Sequence, residues 1–391
     1  MKTINDNYTV ILSGRRSAIG KYGGALRDYP LHDWAPKILR SALDHANVKP
    51  EAVQQLITGR CFGLDNRRLT LAAGISVDAV SSAVYMACGS GLMAVQQAHR
   101  LIRLEEAEVA AAGGMEHLSA VPYYSHHTRW GARYGNVELE DALKTGFSCP
   151  TTGLEMGQTA ENIRRKHNIS RQEQDEFAYW SQEKADAATR SGRFKEEIEP
   201  IEIPQPRGKT LLFDADEHPR LSSMEKLAAL KPVFEKDGTV TAGNASGIND
   251  GAAFLVLTSG AYAKKENLKP LARIVSIATS GIDPTIMGLG PVLAMQRALQ
   301  KAALKPEDID LYEINEAFAA QVLGVVREFP IPKEKLNVNG GAVALGHPIG
   351  CSGARITVTL LHELRRRGLR RGMASLCVGG GMGIATIVEM L

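Results

Sequence analysis

The sequence predicts an α/β protein made of two related halves, each layered from strands and helices, with an inserted region between them. Three observations lead there. Residues 42–51 read ALDHANVKPE and residues 298–307 read ALQKAALKPE. Cys88-Gly-Ser-Gly91 and Cys351-Ser-Gly353 each precede a helix-like stretch. Beyond those stretches come two glycine-bearing apolar segments, Val109–Met115 and Ala374–Met382. Features recurring in one order at so long an offset mark a duplicated domain, because solenoid units repeat every 20–50 residues or so.

The elements follow in chain order. The apolar run Val10–Leu12 reads as a strand. Over 31–46, Leu31, Trp34, Ala35, Ile38, Ala42 and Ala46 fall on one helical face. Pro36 suits only a first turn, so the helix is expected to start a little after Leu31. Lys49-Pro50-Glu51 closes it and leads into the strand Gln55–Thr58. A helix over Leu92–Leu104 and a strand from Val109 complete the first half. Region 119–248 differs: Tyr, His and Arg come early, and Ser170-Arg-Gln-Glu173 is a capping box opening a helix of roughly 20 residues. Segment 196–222 is rich in Pro and charge. This reads as an insertion over one face of the core, a lid or binding surface. The second half repeats the plan: Lys305-Pro306-Glu307, the strand Leu311–Ile314, a helix over Ala354–Leu364 and the strand from Ala374. Short apolar runs suit strands covered on both faces, which predicts a mainly parallel sheet. The expected division is 1–118, completed by about 249–270, then 119–248, then 271–391.

Composition narrows the function. Apolar content of 44%, charged content of 23% and a net charge of +3 describe an ordinary globular chain with no strong field for nucleic acid. The cluster Arg365-Arg366-Arg367-Gly368-Leu369-Arg370-Arg371 reads as a solvated helix end. Five cysteines, odd in number and without CxxC or Cys/His ligand spacing, argue against a disulfide framework or zinc and for a reducing compartment. MKTINDNYTVILS has no apolar signal region, and no 18-residue apolar stretch exists. The cytoplasm is expected.

Three glycine-flanked residues carry chemistry. Cys88 precedes Gly-Ser-Gly and a helix, whose free N–H groups are expected to lower its pKa below about 8.5. The glycines let a carbonyl approach backbone N–H groups, as in an oxyanion hole. Taken alone, such a cysteine more often lies buried and inert. His347, between Gly346 and Pro348, reads as a base for Cys88 or as a hydrogen-bonded core histidine. Cys377 ends a strand and enters Gly379-Gly380-Gly381-Met382-Gly383. A dinucleotide loop fails there, since no helix and no acidic residue about 20 positions on follow in the sequence. Asn315, ahead of Glu316-Ala317-Phe318 and a helix, reads first as an N-cap and otherwise as an amide holding a water or carbonyl oxygen. His126-His127 lacks carboxylate or Cys neighbours in sequence and reads as loop.

With these motifs in view, the chain resembles the thiolase family, the acetyl-CoA acetyltransferases and 3-ketoacyl-CoA thiolases. The resemblance runs nearly end to end: Ile19–Leu26, Cys88–Leu92, Gly113-Gly-Met-Glu116, Met156–Asn162, Ser170–Asp175, Gly238–Gly247, Met287–Pro291, Asn315–Phe318, Asn339–Ala342, Gly346-His-Pro348 and Cys377-Val-Gly379. It implies duplicated α/β domains in an α-β-α-β-α layering with an inserted loop domain. It implies Cys88 as nucleophile, His347 as its base, and Cys377 as the group that takes the α-proton or activates CoA. Asn315, through a water, and His347 would hold the second thioester oxygen; the N–H groups of Cys88 and Gly379 would hold the acyl-enzyme oxygen. Ala242 and Ser246 match positions near pantetheine, and Arg220 a position near the nucleotide. Met156, Phe234, Met287, Ala317 and Phe318 match pocket walls.

The implied activity is reversible condensation of two acetyl-CoA to acetoacetyl-CoA and CoA, or thiolysis of short 3-ketoacyl-CoA, because Met156 and Met287 crowd a long chain. A longer-chain 3-ketoacyl-CoA thiolase and a non-catalytic acyl-CoA binder are the alternatives. A ketoacyl synthase is disfavoured by Cys377, where such sites carry His or Asn. Acyl-CoA and CoA are the expected partners, with no cofactor, metal, nucleic acid or membrane, and a homodimer or homotetramer as assembly. Three places depart from the family pattern: Tyr85, Glu155 and the shortened segment 63–68. They bear on the CoA contact, the acyl chain and the subunit contact.

Overall fold

The computed structural model describes residues 8–63 and 65–391. Most of the N-terminal stretch read for a signal, and Leu64 of the shortened segment, lie outside the described residues. In chain order the main elements are β1 (Thr9–Arg16), α1 (Leu31–His45), β2 (Gln55–Gly59), β3 (Val80–Val84), α2 (Ser90–Arg103) and β4 (Val109–His117). The inserted region contributes α3 (Met156–His167) and α4 (Arg171–Arg190). Then come β5 (Asn249–Ser259), β6 (Ala272–Gly281), α5 (Gly290–Ala302), β7 (Leu311–Ile314), α6 (Ala319–Glu328), α7 (Ile349–Arg367), β8 (Arg371–Val378) and β9 (Met382–Met390).

These strands form one sheet in the order β7-β8-β9-β6-β1-β5-β4-β2-β3, with Gly20–Lys21 paired onto β5. The duplication is visible in this order. The first half runs β1-β5-β4-β2 and the second runs β6-β9-β8-β7. Directions match as well: β1/β5 and β5/β4 are antiparallel and β4/β2 parallel, while β6/β9 and β9/β8 are antiparallel and β8/β7 parallel. The halves join through two residue pairs, Val10 with Arg273 and Ile11 with Ala272. The expectation of a mainly parallel sheet is therefore wrong. Continuous apolar runs report burial on both faces, and helices cover both faces here whatever the strand direction.

Pleating sorts the core into three apolar layers. Val10, Leu12, Val109, Ala111, Phe254 and Val256 pack with Trp34 and Ile38 of α1. Their neighbours Ile11, Ala110, Ala112, Leu255 and Leu257 pack with Leu92 and Val95 of α2 and with Ile356 and Val358 of α7. That middle layer also takes Leu376, Ile384 and Val388, while Met373, Ala385 and Ile387 turn outward to Met295 and Leu299 of α5 and Val322 of α6. Helix, first half of the sheet, helix pair, second half of the sheet, helix is the resulting sequence of layers.

Local expectations fared variously. The Lys-Pro-Glu repeats both form 3₁₀ turns, at Pro50–Ala52 and Pro306–Asp308. Matched residues just before them, Asn47 and Ala303, both take left-handed backbone, at φ 54° and 53°. α4 opens with the predicted capping box. α1 begins at Leu31 with Pro36 inside it, earlier than the proline suggested. α7 begins at Ile349, so Cys351 lies in its first turn rather than ahead of it. The arginine cluster is a helix end closed by left-handed Gly368, with Arg366 and Arg367 on Glu363 and Arg371 on Glu389.

The two middle helices touch where they have no side chains. A Cβ on Gly91 would stand 2.7 Å from the Gly350 carbonyl oxygen, and one on Gly353 would overlap the Leu92 backbone nitrogen. Gly→Ala inside an ordinary helix gains about 1 kcal/mol. At Gly353 the sign is expected to reverse: Gly353→Ala should lower stability by about 1–3 kcal/mol, because backbone must move. Urea unfolding reads this directly, and an unchanged or higher midpoint would refute the close crossing.

Candidate active site

The crossing of α2 and α7 brings the two halves' chemistry together. Cys88 sits in the 3₁₀ turn Ala87–Gly89, directly before α2, and Ala87 holds a left-handed φ of 40°. Ser90 locks the turn: its Oγ accepts from the Met86 N–H at 2.8 Å and donates to the Ala87 carbonyl at 2.7 Å. Gly89 lets the turn press on the second half, since a Cβ there would lie 2.8 Å from Val378 Cγ2. Burial pushes the Cys88 thiol up to about 11, against the pull of the Gly379 N–H and its own N–H. The expected fall from the helix N-terminus is overturned, because desolvation of the thiolate outweighs those donors. The same two N–H groups are the pair read from sequence as an oxyanion hole.

His347 is fixed from both sides. Gly346 has φ 101°, and a Cβ there would run into the Asn249 amide. Asn249 Oδ1 accepts the His347 N–H at 2.9 Å, and its Nδ2 donates to the Gly20 carbonyl at 2.9 Å. Ser352 Oγ, which donates to the Pro348 carbonyl at 3.1 Å, lies 2.6 Å from His347 Nδ1. The Ser352 proton being engaged, Nδ1 carries hydrogen and Nε2 carries the lone pair. Burial, helped by Arg355, lowers His347 to about 3, so the ring is neutral at ordinary pH. Ile248, bridged to His347, and Ile349, two residues beyond it, share one apolar cluster with Cys88.

Asn315 is not an N-cap; α6 begins at Ala319 with Phe318 in that position. Its Nδ2 stands 3.5 Å from His347 Nε2, and its buried Oδ1 has no hydrogen-bond partner among the described residues. This favours the alternative reading, an amide that addresses an oxygen in the site. Cys377 is fully buried at the end of β8, and burial plus the neighbouring Cys88 push its thiol well above the ordinary range. The predicted wall residues collect around it: Met287, Ala317 and Phe318 form its cluster, with Met156 and Phe234 against them. Phe234 and Phe318 meet edge to face at 6.2 Å, and the Met156 sulfur lies 3.4 Å from where a Gly379 Cβ would be. The Ser246 N–H donates to the Ala317 carbonyl at 3.0 Å. Arg220 Nη2 donates to the Ala242 carbonyl at 2.9 Å, and both line a cavity of about 260 Å³ with Gln182 and Lys226.

Sequence reasoning passed over three supports. Asn249 and Ser352 position His347; the signal for Ser352 was its place five residues after the histidine, in the first turn of the helix that follows it. Glu116, quoted only within a motif, is fully buried and accepts from Cys61, Phe62 and Gly350 N–H groups, at 2.9, 3.1 and 2.9 Å. It ties the end of β2 to the start of α7, and burial raises its carboxyl to about 6. Of the departures, Glu155 is the N-cap of α3, and Tyr85 follows the edge strand at 73% exposure. His126 has a carboxylate after all, Glu140 at 2.9 Å across the hairpin Tyr123–Tyr124/Glu140–Asp141.

Two thiols, a neutral imidazole and paired N–H donors suit acyl transfer through a thioester coupled to movement of a carbon-bound proton. The comparisons agree in kind. Family models described as the thiolase N-terminal and C-terminal domains match residues 9–261 and 268–390. An acetyl-CoA acetyltransferase of Cupriavidus necator is 46% identical over 387 residues, covering 97% of this chain and 98% of that one. The crystal structure of the Bacillus anthracis acetyl-CoA acetyltransferase superposes with a TM-score of 0.95 at 47% identity, over 98% and 99% of the two chains. Human mitochondrial 3-ketoacyl-CoA thiolase in complex with CoA gives 0.93 at 42% identity, over 98% of each.

With its thiol raised to about 11, Cys88 is almost wholly protonated at pH 7. Its alkylation by iodoacetamide is expected to be slow there and to climb about tenfold per pH unit up to pH 10. Mass spectrometry of the Cys88 peptide across pH checks this; a rate that levels off between about pH 9 and 9.5 would show an ordinary thiol.

Proposed function

The chain belongs to the thiolase family, and we propose that it is an acetyl-CoA C-acetyltransferase that condenses two acetyl-CoA reversibly through an acyl-Cys88 intermediate. It is an acyltransferase. The observation that carries the residue assignment is the convergence of Cys88, with the Gly379 N–H on its sulfur, and neutral His347 at the crossing of α2 and α7. In the thiolysis direction, Cys88 gives its proton to His347 Nε2 and attacks C3 of the 3-ketoacyl-CoA. The oxygen charge that develops is met by the Cys88 and Gly379 N–H groups. The C2–C3 bond breaks, the enolate of acetyl-CoA takes a proton from Cys377, and acetyl-CoA leaves. CoA then gives its thiol proton to Cys377, attacks the acyl-Cys88 carbonyl and releases the second acyl-CoA, while His347 returns the proton to Cys88. His347 and Asn315 face the oxygen of the thioester whose α-carbon gains and loses the proton. Such an enolate forms only where its oxygen is stabilised as charge appears.

Met156 and Met287 close the pocket around Cys377, which supports a short acyl group there. Arg220, Ala242 and Ser246 are assigned to CoA, the nucleotide end in the cavity beside Lys226. The division 1–118 with 249–270, then 119–248, then 271–391 is supported by β5, which pairs with β1 and β4. No described helix is long and apolar enough to cross a membrane, and the cysteines are free thiols; we assign the enzyme to the cytoplasm.

Two exposed surfaces support a homo-oligomer. β3 is an edge strand, flanked by Val77 and Tyr85, both more than 70% exposed. Such an edge invites pairing with a second copy. The hairpin region carries exposed Trp130 and Tyr134, a second apolar patch that suits a dimer of dimers.

Three outcomes are expected. Cys88→Ala should lose acetoacetyl-CoA thiolysis and fail to gain the mass of an acetyl group from acetyl-CoA. Cys377→Ala should lose turnover yet still acquire the acetyl group. Activity in Cys88→Ala equal to wild type would sink the reading. Val80→Lys on the edge strand should reduce the oligomer in light scattering; a monomeric wild type would contradict the assembly.

A further inference from the structure

A second cavity, of about 450 Å³, lies beside the site and has no role in the reaction above. Its walls carry the apolar Leu31, Phe62, Val121 and Pro122, the Arg60 guanidinium, the Arg27–Asp28 pair, and two histidines, His32 and His117, whose charged form burial disfavours. Arg60 Nε and Nη1 are closed to solvent and have no hydrogen-bond partner among the described residues. Glu116 and Asp65 act on the Arg60 charge from a distance, but neither makes an ion pair with it; Arg27, also on the wall, is engaged by Asp28 at 2.6 Å. A guanidinium does not shed its proton at working pH, so a half-buried one with two unpaired N–H-bearing atoms calls for an anion.

The cavity adjoins the nucleophile. A Cβ on Gly59 would overlap the Ser90–Gly91 backbone, Cys61 Sγ stands 3.4 Å from the Ala87 carbonyl, and Phe62 and Val121 share an apolar cluster with Cys88. Segment 59–62 thus runs past the Cys88 turn and carries Arg60 with it. Met156 and Met287 close the opposite, Cys377 side.

We propose that this cavity receives the distal carboxylate of an acyl group borne on Cys88, so that a 3-ketoacyl-CoA ending in a carboxylate is a substrate; this rests on the thiolase reading above. Apolar walls ending at one cation fit a short methylene chain ending in a carboxylate. The step balances as before: attack at C3, cleavage of C2–C3, protonation of the departing acetyl-CoA carbanion by Cys377, and an ω-carboxyacyl thioester left on Cys88 for CoA to remove.

The test compares thiolysis of acetoacetyl-CoA, a six-carbon 3-ketoacyl-CoA ending in a carboxylate, and its methyl-ended counterpart. Wild type is expected to prefer the carboxylate-ended compound over the methyl-ended one by about tenfold or more in kcat/KM, the scale of a charge-assisted hydrogen bond. Arg60→Gln should erase the preference while acetoacetyl-CoA cleavage stays within about twofold, and Arg60→Lys should keep part of it. Equal wild-type rates on the two six-carbon compounds, or a preference that survives Arg60→Gln, overturn the proposal whether or not the variants fold well. Free succinate altering acetoacetyl-CoA cleavage in wild type but not in Arg60→Gln, with no substrate preference, would assign the cavity to a free anion instead. No cleavage of acetoacetyl-CoA at all would count against the thiolase reading itself.

Discussion

The structure depends on a contact between backbones. At the crossing of α2 and α7, Gly91 faces the Gly350 carbonyl and the Ala354 N–H, Gly353 faces the Leu92 backbone, and Gly114 of β4 abuts Gly350. No side chain fits between them. Because the helices approach this closely at their N-terminal ends, the turn ahead of α2 and the turn ahead of α7 share one corner. Cys88 comes from one half and His347 from the other. Packing the helices at the usual 8–10 Å between axes would separate that pair. Glu116 reinforces the contact by accepting N–H groups from both sides, Cys61 and Phe62 after β2 and Gly350 in α7.

Closeness also takes the corner's reactive atoms largely out of solvent, and that burial sets the protonation states. Burial raises both thiols and lowers the imidazole, so Cys88, Cys377 and His347 all rest uncharged. Charge is then created only when a proton moves between them, next to donors already in place. The N–H groups of Cys88 and Gly379, which restrain the rise of the Cys88 thiol, gain strength in the same low-dielectric surroundings. A resting thiolate would need less from a base but would expose the cysteine to any electrophile in the cell.

Much of this was legible in sequence, and the reasons differ by residue. The duplication was readable because both halves keep the Lys-Pro-Glu turn and a Gly-rich approach to a helix, which are local backbone requirements. Cys88, His347 and Cys377 stood out through their glycines for the same reason. Strand direction was not readable, since Val109–Ala112 is apolar under two-sided cover in either direction. The Cys88 pKa went wrong because helix ends are local and visible while desolvation is set by residues such as Val378, 290 positions away in the chain. The reading of Asn315 as a cap failed because the helix starts three residues later than an Asn cap would place it. Arg60 gave no signal, since its lack of a partner is a property of the folded surroundings alone.

The halves also show how one architecture yields unlike roles. Both carry Gly-Gly-Met near the end of a middle strand, yet the segment takes two shapes. In the first half Gly113 and Gly114 stay extended and β4 runs on to His117. In the second, Gly380 and Gly381 turn at φ 86° and 85°, and β8 folds back to β9 after three residues. The link from β4 to β5, equivalent to that three-residue hairpin, is the long region 118–248. So the tight version of the connection presents the Gly379 N–H to Cys88, and the expanded version supplies Met156 and Phe234, which pack against the cluster around Cys377. The long connection and its three-residue twin therefore end at neighbouring places, with the Met156 sulfur 3.4 Å from where a Gly379 Cβ would stand.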